Sequence, residues 1–118
     1  LAHDIGGLIA ARQLGLDLTI VVLNNDGGGI FHFLPVAREG EDFEQHVATP
    51  HGLDFAQAAA LFGARHTFVA DPAALRHELA RALGSGALTI IEARTDRTAN
   101  VALHRRVWDA VSAALVRA

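Results

Sequence analysis

The 118 residues suffice for one domain, and a 51% hydrophobic composition is ample to fill its core, so a disordered chain is excluded. Ten Lys and Arg against thirteen Asp and Glu give a formal charge of -3, with the basic residues scattered rather than striped, so nucleic acid is not an expected partner. Cysteine is absent, which excludes disulfide scaffolds, zinc-thiolate centres and thiol nucleophiles together and agrees with a cytoplasmic location.

Along the chain, Ile5, Leu8, Ile9 and Leu14 fall on roughly one helical face, opposite Arg12 and Gln13. This predicts a helix over residues 5 to 16, opened by Asp4 as a cap and ended by Gly15. Leu18 to Leu23 is a β-branched and apolar run without alternation, which predicts a strand covered on both faces, as in a parallel sheet. The run is also the longest apolar stretch and is far too short to cross a bilayer, and no signal-peptide pattern occurs, so membrane insertion is not expected.

Residues 24 to 52 lack a sustained period and carry Gly27 to Gly29, Pro35, the acidic Glu39 to Asp42, and Pro50. A long functional loop is predicted there, with a short helical turn around Phe31 to Leu34. Asp54 then caps a helix through Phe62, ended by Gly63, and Arg65 to Val69 forms a short strand. Asp71 and Pro72 occupy the cap and first-turn positions of a helix running to about Leu83, which Gly84-Ser85-Gly86 breaks. Leu88 to Ala93 is a second buried strand, and Asn100 to Arg117 a closing amphipathic helix.

This order calls for a doubly wound, mostly parallel sheet with helices on both faces, an α/β fold. Such a domain normally begins with a strand, which here would precede Leu1. With Leu rather than Met at position 1, residues 1–118 read as an N-terminally truncated piece.

Ligands of doubly wound folds sit beyond the carboxyl ends of the strands, where Asn24 to Gly29 is placed. An asparagine oxygen is a hard neutral donor suited to magnesium, and a glycine carbonyl two residues later can join the same coordination sphere. Three successive glycines let the backbone approach a phosphate and form an anion-binding nest. The competing reading is a hairpin turn that needs glycine only for positive φ. Against it, Ile30 to Pro35 ends in proline and runs into a charged loop instead of forming a return strand. Neither the P-loop nor the Gly-x-Gly-x-x-Gly pattern matches.

A strand ending in Asn24-Asn25 and followed by Asp26-Gly27-Gly28-Gly29-Ile30-Phe31 resembles the second half of the thiamine-diphosphate motif, which opens on Gly-Asp and closes on Asn-Asn. Leu1-Ala2-His3-Asp4 is similar to the segment just after that Gly-Asp pair. Three blocks in order, NNDGGGIFHFLP from Asn24, TPHGLDFAQAAALFG at Thr49 to Gly63 and IEARTDRTANVALH at Ile91 to His104, resemble the 2-succinyl-5-enolpyruvyl-6-hydroxy-3-cyclohexene-1-carboxylate synthases of menaquinone biosynthesis. The resemblance covers nearly the whole chain.

The resemblance implies that residues 1–118 are the C-terminal part of the diphosphate-binding domain of such a transferase. Asn25 would give its side-chain oxygen and Gly27 its carbonyl to Mg2+ (or Mn2+), while Gly28, Gly29 and Ile30 would line thiamine diphosphate. Ile30, Phe31 and Leu34 would form an apolar wall against isochorismate, with ordinary core packing as the competing reading. Asp26 stands where asparagine is common in the family, and its charge would weaken cofactor binding unless the carboxylate points away.

The implied reaction decarboxylates 2-oxoglutarate and adds the remaining carbon skeleton to isochorismate. No catalytic residue is implied within this chain. The activating glutamate would come from the pyrimidine-binding domain of a neighbouring subunit, in a homodimer or homotetramer, and the metal's aspartate and the substrate-binding arginines would lie upstream. The isolated chain is therefore expected to be inactive. Competing readings are another thiamine-diphosphate enzyme, of acetolactate synthase or 2-oxoacid decarboxylase type, and a non-catalytic α/β interaction module.

The remaining polar residues read as structural. Glu92, at a strand end, is expected to pair with Arg94 or Arg97. The seven histidines show no metal-binding spacing and are expected mostly at the surface or at caps, with His51 ordering a loop. Val107, Trp108, Val111 and Leu115 recur at helical spacing and are expected in the core rather than at an oligomer contact.

Overall fold

A computed structural model describes residues 1–116. In chain order the elements are α1 (Gly7–Gln13), β1 (Leu18–Asn24), α2 (Glu41–Phe43), α3 (Phe55–Leu61), β2 (Arg65–Val69), α4 (Pro72–Ala82), β3 (Leu88–Arg94) and α5 (Arg97–Val116). They fall into two compact units, one of residues 1–24 and 53–94, the other of residues 25–52 and the segment from Thr95 onward.

The first unit is a parallel sheet in the order β1-β3-β2 with helices on both faces, as the element order requires. Leu88 and Ile90 of β3 pack against Leu8 and Ala11 of α1 and Ala59 of α3. On the opposite face, Ile91 joins Val69 of β2 and Ala82 of α4. The alternation of β3 between these two cores explains why its sequence is apolar at successive positions.

Within this chain the second cover of β1 is not supplied. The strand lies at the edge of the sheet, and Leu18, Val21 and Leu23 are exposed while Ile20 and Val22 pack inward. An apolar run is compatible with burial on two faces but does not itself supply the second cover.

The ends of α1 also differ from expectation. Its N-cap is Gly6, without a side-chain bond, and the Asp4 carboxylate instead meets His3 Nδ1 at 2.8 Å. Leu8 and Ala11 form the buried stripe, whereas Ile9 and Leu14 are exposed. Ile9 follows Leu8 by one residue and is therefore turned about 100° away from it. Gly15 does end the helix: it has φ +60, its amide donates to the Arg12 carbonyl, and Leu16 donates back to Ala11, closing a Schellman turn.

Asp54 and Asp71 cap α3 and α4 as expected, each accepting two backbone amides. α5 begins at Arg97, three residues before the expected Asn100, because Asp96 accepts the Ala99 amide and acts as the cap. Arg117, the expected end of that helix, lies outside the described residues.

The second unit contains more regular structure than one helical turn. Residues 29–33 and 35–38 form two short 3-10 segments, and α2 runs into a π-helical turn at Glu44–Ala48. Such short pieces leave no sustained hydrophobic period. Val101 is the buried residue of α5, whereas Val107, Trp108, Val111 and Leu115 are exposed, so the core assignment is corrected. Trp108 instead meets Phe33 and His104, at ring-centroid separations of 5.8 and 6.0 Å. Among the described residues no helix is long and apolar enough to cross a membrane.

Candidate functional site

The carboxyl end of the sheet carries a buried carboxylate. Glu92 on the central strand has a side chain only 2% exposed. In the sheet register Val22 and Phe68 face Glu92, so Asn24 and His66 are its diagonal neighbours on the same face. Asn24 Nδ2 donates to Glu92 Oε1 at 2.8 Å, His66 Nε2 lies 3.0 Å from Oε2, and Arg94 Nε donates to Oε1 at 2.9 Å. Each strand thus contributes one partner. Arg94 also lies over the Phe68 ring, 5.5 Å from its centroid.

Burial by itself would raise the Glu92 pKa, but the bonds from Asn24, Arg94 and His66 outweigh it and hold the group below the usual glutamate value. The expected Arg94 pairing is present. Arg97 belongs to a different cluster, its Nη2 donating to Glu44 Oε2 at 3.0 Å. Glu44 Oε1 lies 3.3 Å from His32 Nε2, and the His32 ring meets Phe43 edge-on. That group ties the 29–33 turn, the 44–48 turn and the start of α5 together within the second unit.

The loop itself is held mainly by backbone bonds. Asn25 Oδ1 accepts a long 3.3 Å bond from the Gly27 amide, the Gly28 amide donates to the Ala48 carbonyl at 2.6 Å, and the Gly29 amide donates to the Gly27 carbonyl at 2.9 Å. The glycine amides therefore differ from the open anion nest expected of them: each already has an internal acceptor. The glycines are needed for close packing as well. Gly27 has φ +137, and a Cβ there would run into the Ala48 and Thr49 carbonyls. At Gly28 a Cβ would strike the Phe31 ring, and at Gly29 the Asn25 side chain.

The Asp26 carboxylate accepts the His51 and Gly52 amides at 3.1 and 2.8 Å and lies 3.4 Å from the His51 ring. The Gly52 bond is the largest influence lowering its pKa, aided by His51 and the Arg97 charge against a smaller desolvation effect. His51 thus orders the loop, as expected. Asp26 occupies αL backbone at φ 54, a conformation that aspartate tolerates better than most residues.

Ile30 is 73% exposed, and Phe31 and Leu34 are exposed too, so core packing within this chain does not explain them. A cavity of about 700 Å³ lies elsewhere in this unit, against His32, Phe43, Glu44 and Thr98, and is not lined by Asn25 or Gly27 to Ile30. Among the described residues no group of three or more His, Cys, Asp or Glu could hold a metal ion. A cation here would instead be met by oxygens of another kind. The Asn25 side-chain oxygen has only one long bond, and the Gly27 carbonyl accepts one amide, so both retain electron pairs. These hard, neutral oxygens fit part of a magnesium coordination shell.

Apart from the Glu92–Arg94 pair, the Glu92 and Arg97 clusters escaped sequence reasoning because their members lie far apart in the chain. Asn24 and Glu92 are separated by 68 residues, and Glu44 and Arg97 by 53. Only the terminal position of Asn24 on its strand hinted at a shared site.

Residues 1–93 match the family model described as "Thiamine pyrophosphate enzyme, C-terminal TPP binding domain". Curated relatives named 2-succinyl-5-enolpyruvyl-6-hydroxy-3-cyclohexene-1-carboxylate synthase match nearly the whole chain. The Chloroflexus aurantiacus protein is 51% identical over 100% of the chain and 20% of its own length. The Geobacillus thermodenitrificans protein is 47% identical over 93% of the chain and 19% of its length, and that of Roseiflexus sp. is 44% identical over 98% and 20%. The chain therefore spans about a fifth of the length of these relatives. Among solved structures, the thiamine diphosphate-dependent 4-hydroxybenzoylformate decarboxylase of Rhodococcus jostii RHA1 matches with a TM-score of 0.67 at 30% identity, over 80% of this chain and 18% of that one.

Proposed function

The chain belongs to the thiamine pyrophosphate enzyme family, as its C-terminal TPP-binding domain, and on that footing we propose that it forms the cofactor-binding end of a 2-succinyl-5-enolpyruvyl-6-hydroxy-3-cyclohexene-1-carboxylate synthase. The proposed enzyme is a cytoplasmic transferase of menaquinone biosynthesis. It decarboxylates 2-oxoglutarate and joins the remaining four-carbon skeleton to isochorismate. The observation that carries this reading is the 44–51% identity to synthases of that name over nearly all of the chain.

In this proposal Asn25 and Gly27 hold Mg2+ (or Mn2+) through their oxygens, and Gly28, Gly29 and Ile30 line thiamine diphosphate. When bound, the cofactor supplies the electron sink that decarboxylation of a 2-oxoacid requires. Ile30, Phe31 and Leu34 present an exposed apolar face on which the isochorismate ring can lie and from which water is displaced. Asp26, turned to the amides of residues 51 and 52, keeps the loop in shape and directs its charge at those amides. The remaining requirements, a glutamate from a neighbouring subunit and arginines for the substrate carboxylates, are assigned to the rest of a homodimeric or homotetrameric enzyme.

The test is turnover by the full-length enzyme. Carbon dioxide release from 2-oxoglutarate should require thiamine diphosphate, a divalent cation and isochorismate together, and the isolated 118 residues should give none. Turnover indifferent to omission of the cofactor would sink the reading. The likeness to 4-hydroxybenzoylformate decarboxylase favours one alternative, a 2-oxoacid decarboxylase. That alternative requires release of carbon dioxide from an aromatic 2-oxoacid without isochorismate.

A further inference from the structure

The cofactor loop begins at Asn25, one peptide unit beyond Asn24, and Asn24 is unusual for a strand end: its residue is buried and its amide donates to a buried carboxylate. A glutamate on the middle strand of a sheet is costly unless every oxygen is satisfied, and an apolar residue would serve packing equally well. Glu92 instead collects one polar partner from each of the three strands at the level where β1 ends. Hydrophobic packing fixes β1 through Ile20 and Val22, whereas Leu23 is exposed and Asn24 has no apolar side chain. The bond to Glu92 therefore adds a side-chain anchor to the ladder pairing of Asn24 with Arg94 at the end of the strand. Consecutive Cα atoms are about 3.8 Å apart, so an error in the orientation of Asn24 passes directly into the placement of Asn25.

We propose that Glu92 is a positioning residue for cofactor binding, acting by holding the Asn24 side chain and with it the peptide from which Asn25 continues. This rests on the assignment of Asn25 and Gly27 to the metal. Glu92 touches neither cofactor nor substrate in this role. His66 and Arg94 hold the carboxylate so that Oε1 is presented to Asn24.

The experiment exchanges the donor and the acceptor. In the full-length enzyme, binding of thiamine diphosphate in the presence of magnesium is measured by calorimetric titration, beside a thermal melt, for Asn24→Asp, Glu92→Gln, the double variant and Ile91→Ala. Asn24→Asp sets two carboxylates against each other and should weaken binding by about tenfold or more, the scale on which groups supporting metal ligands act. Asn24→Asp with Glu92→Gln allows an N–H···O bond of reversed polarity once the exposed Arg94, which shares Oε1, turns to the new carboxylate at position 24, and should recover part of that loss. Ile91→Ala destabilises the opposite face of the sheet without reaching Asn24, and should lower the melting temperature while leaving affinity nearly unchanged. Glu92→Gln can still offer an oxygen to Asn24, keeps the mildest phenotype, and guards against misfolding of Asn24→Asp.

A double variant no better than Asn24→Asp, or an Ile91→Ala protein that loses affinity as much as Asn24→Asp at equal melting temperature, would overturn the positioning role while leaving the metal assignment intact. Wild-type enzyme that bound no thiamine diphosphate with magnesium would overturn both.

Discussion

Two carboxylates show how differently the two units of this chain are held. Glu92 sits within the sheet, almost fully buried, and takes its partners from three separate strands. Asp26 sits in the loop unit with its side chain half-exposed, and takes backbone amides from two adjacent residues. Removing the first leaves polar groups stranded along the sheet, whereas removing the second frees one turn that water can reach. Damage to the sheet should therefore appear first as lost global stability, joined by lost cofactor affinity where the Asn24–Glu92 bond is broken, and damage to the loop as lost order or ligand affinity.

The largest effect is expected at Glu92. Glu92→Leu removes the carboxylate that Asn24, His66 and Arg94 share and should cost about 3 kcal/mol of unfolding free energy, as expected when one side of a buried polar network is removed. Urea denaturation of wild type and variant measures the difference. Its pH dependence has a definite sign: the folded-state pKa is depressed, so the contribution is present above the unfolded-state value and is lost as pH falls through the folded one. The gap between wild type and Glu92→Leu should narrow in acid. A gap independent of pH would mean that the carboxylate charge contributes nothing to the network.

Gly27→Ala tests the loop at its most crowded point. Its φ of +137 disfavours any side chain, and the added Cβ would collide with the Ala48 carbonyl. The expected loss is about 1–3 kcal/mol, the cost of a residue forced into an unfavourable backbone region, absorbed by local rearrangement rather than by the sheet. Gly40→Ala also has a positive φ, +59, but would meet nothing within 4 Å, so it reports a backbone penalty without a collision. Equal effects for the two would show that the packing of residues 27 and 48 is unimportant. Backbone amide exchange in residues 25–52 locates the damage.

Asn25→Ala should leave the melting temperature nearly unchanged, since its oxygen accepts only one long internal bond. On the proposed metal assignment, it should raise the magnesium and thiamine diphosphate concentrations needed for half-maximal binding by about tenfold, through loss of an oxygen ligand. Unchanged cofactor affinity would remove the loop from the site.

The same contrast explains what the chain's letters disclosed. β2, α4 and β3 were legible because apolar periodicity and local signals, Asp71-Pro72 and Gly84-Ser85-Gly86, agree on them. The position of Asn25 and the glycines after a strand was legible for the same reason. The exposure of β1 within this chain was not, since an apolar run does not say which residues cover it. Nor, beyond the Glu92–Arg94 pair, were the two polar clusters. They depend on residues brought together by the fold, and a single sequence holds no trace of Glu44 meeting Arg97. Trp108 misled for a related reason: helical spacing identifies an apolar stripe without saying what, within this chain, covers it.

The smallest effect is expected from Asp26→Asn. Asparagine retains an oxygen that can accept the His51 and Gly52 amides and tolerates the same φ of 54, so stability near neutral pH should change little. The acid response should differ, because the Asp26 pKa is lowered, chiefly by the Gly52 amide, and its stabilising contribution disappears as pH falls through the folded-state value. The variant lacks that titration, so its melting temperature should fall less than that of the wild type in acid. Cofactor affinity should change by less than about threefold, since the carboxylate is already engaged by amides that reduce its influence on a nearby anion. A gain of about tenfold or more in thiamine diphosphate affinity would instead show that the Asp26 charge reaches the diphosphate despite its amide partners, and that the orientation of this side chain changes when the cofactor binds.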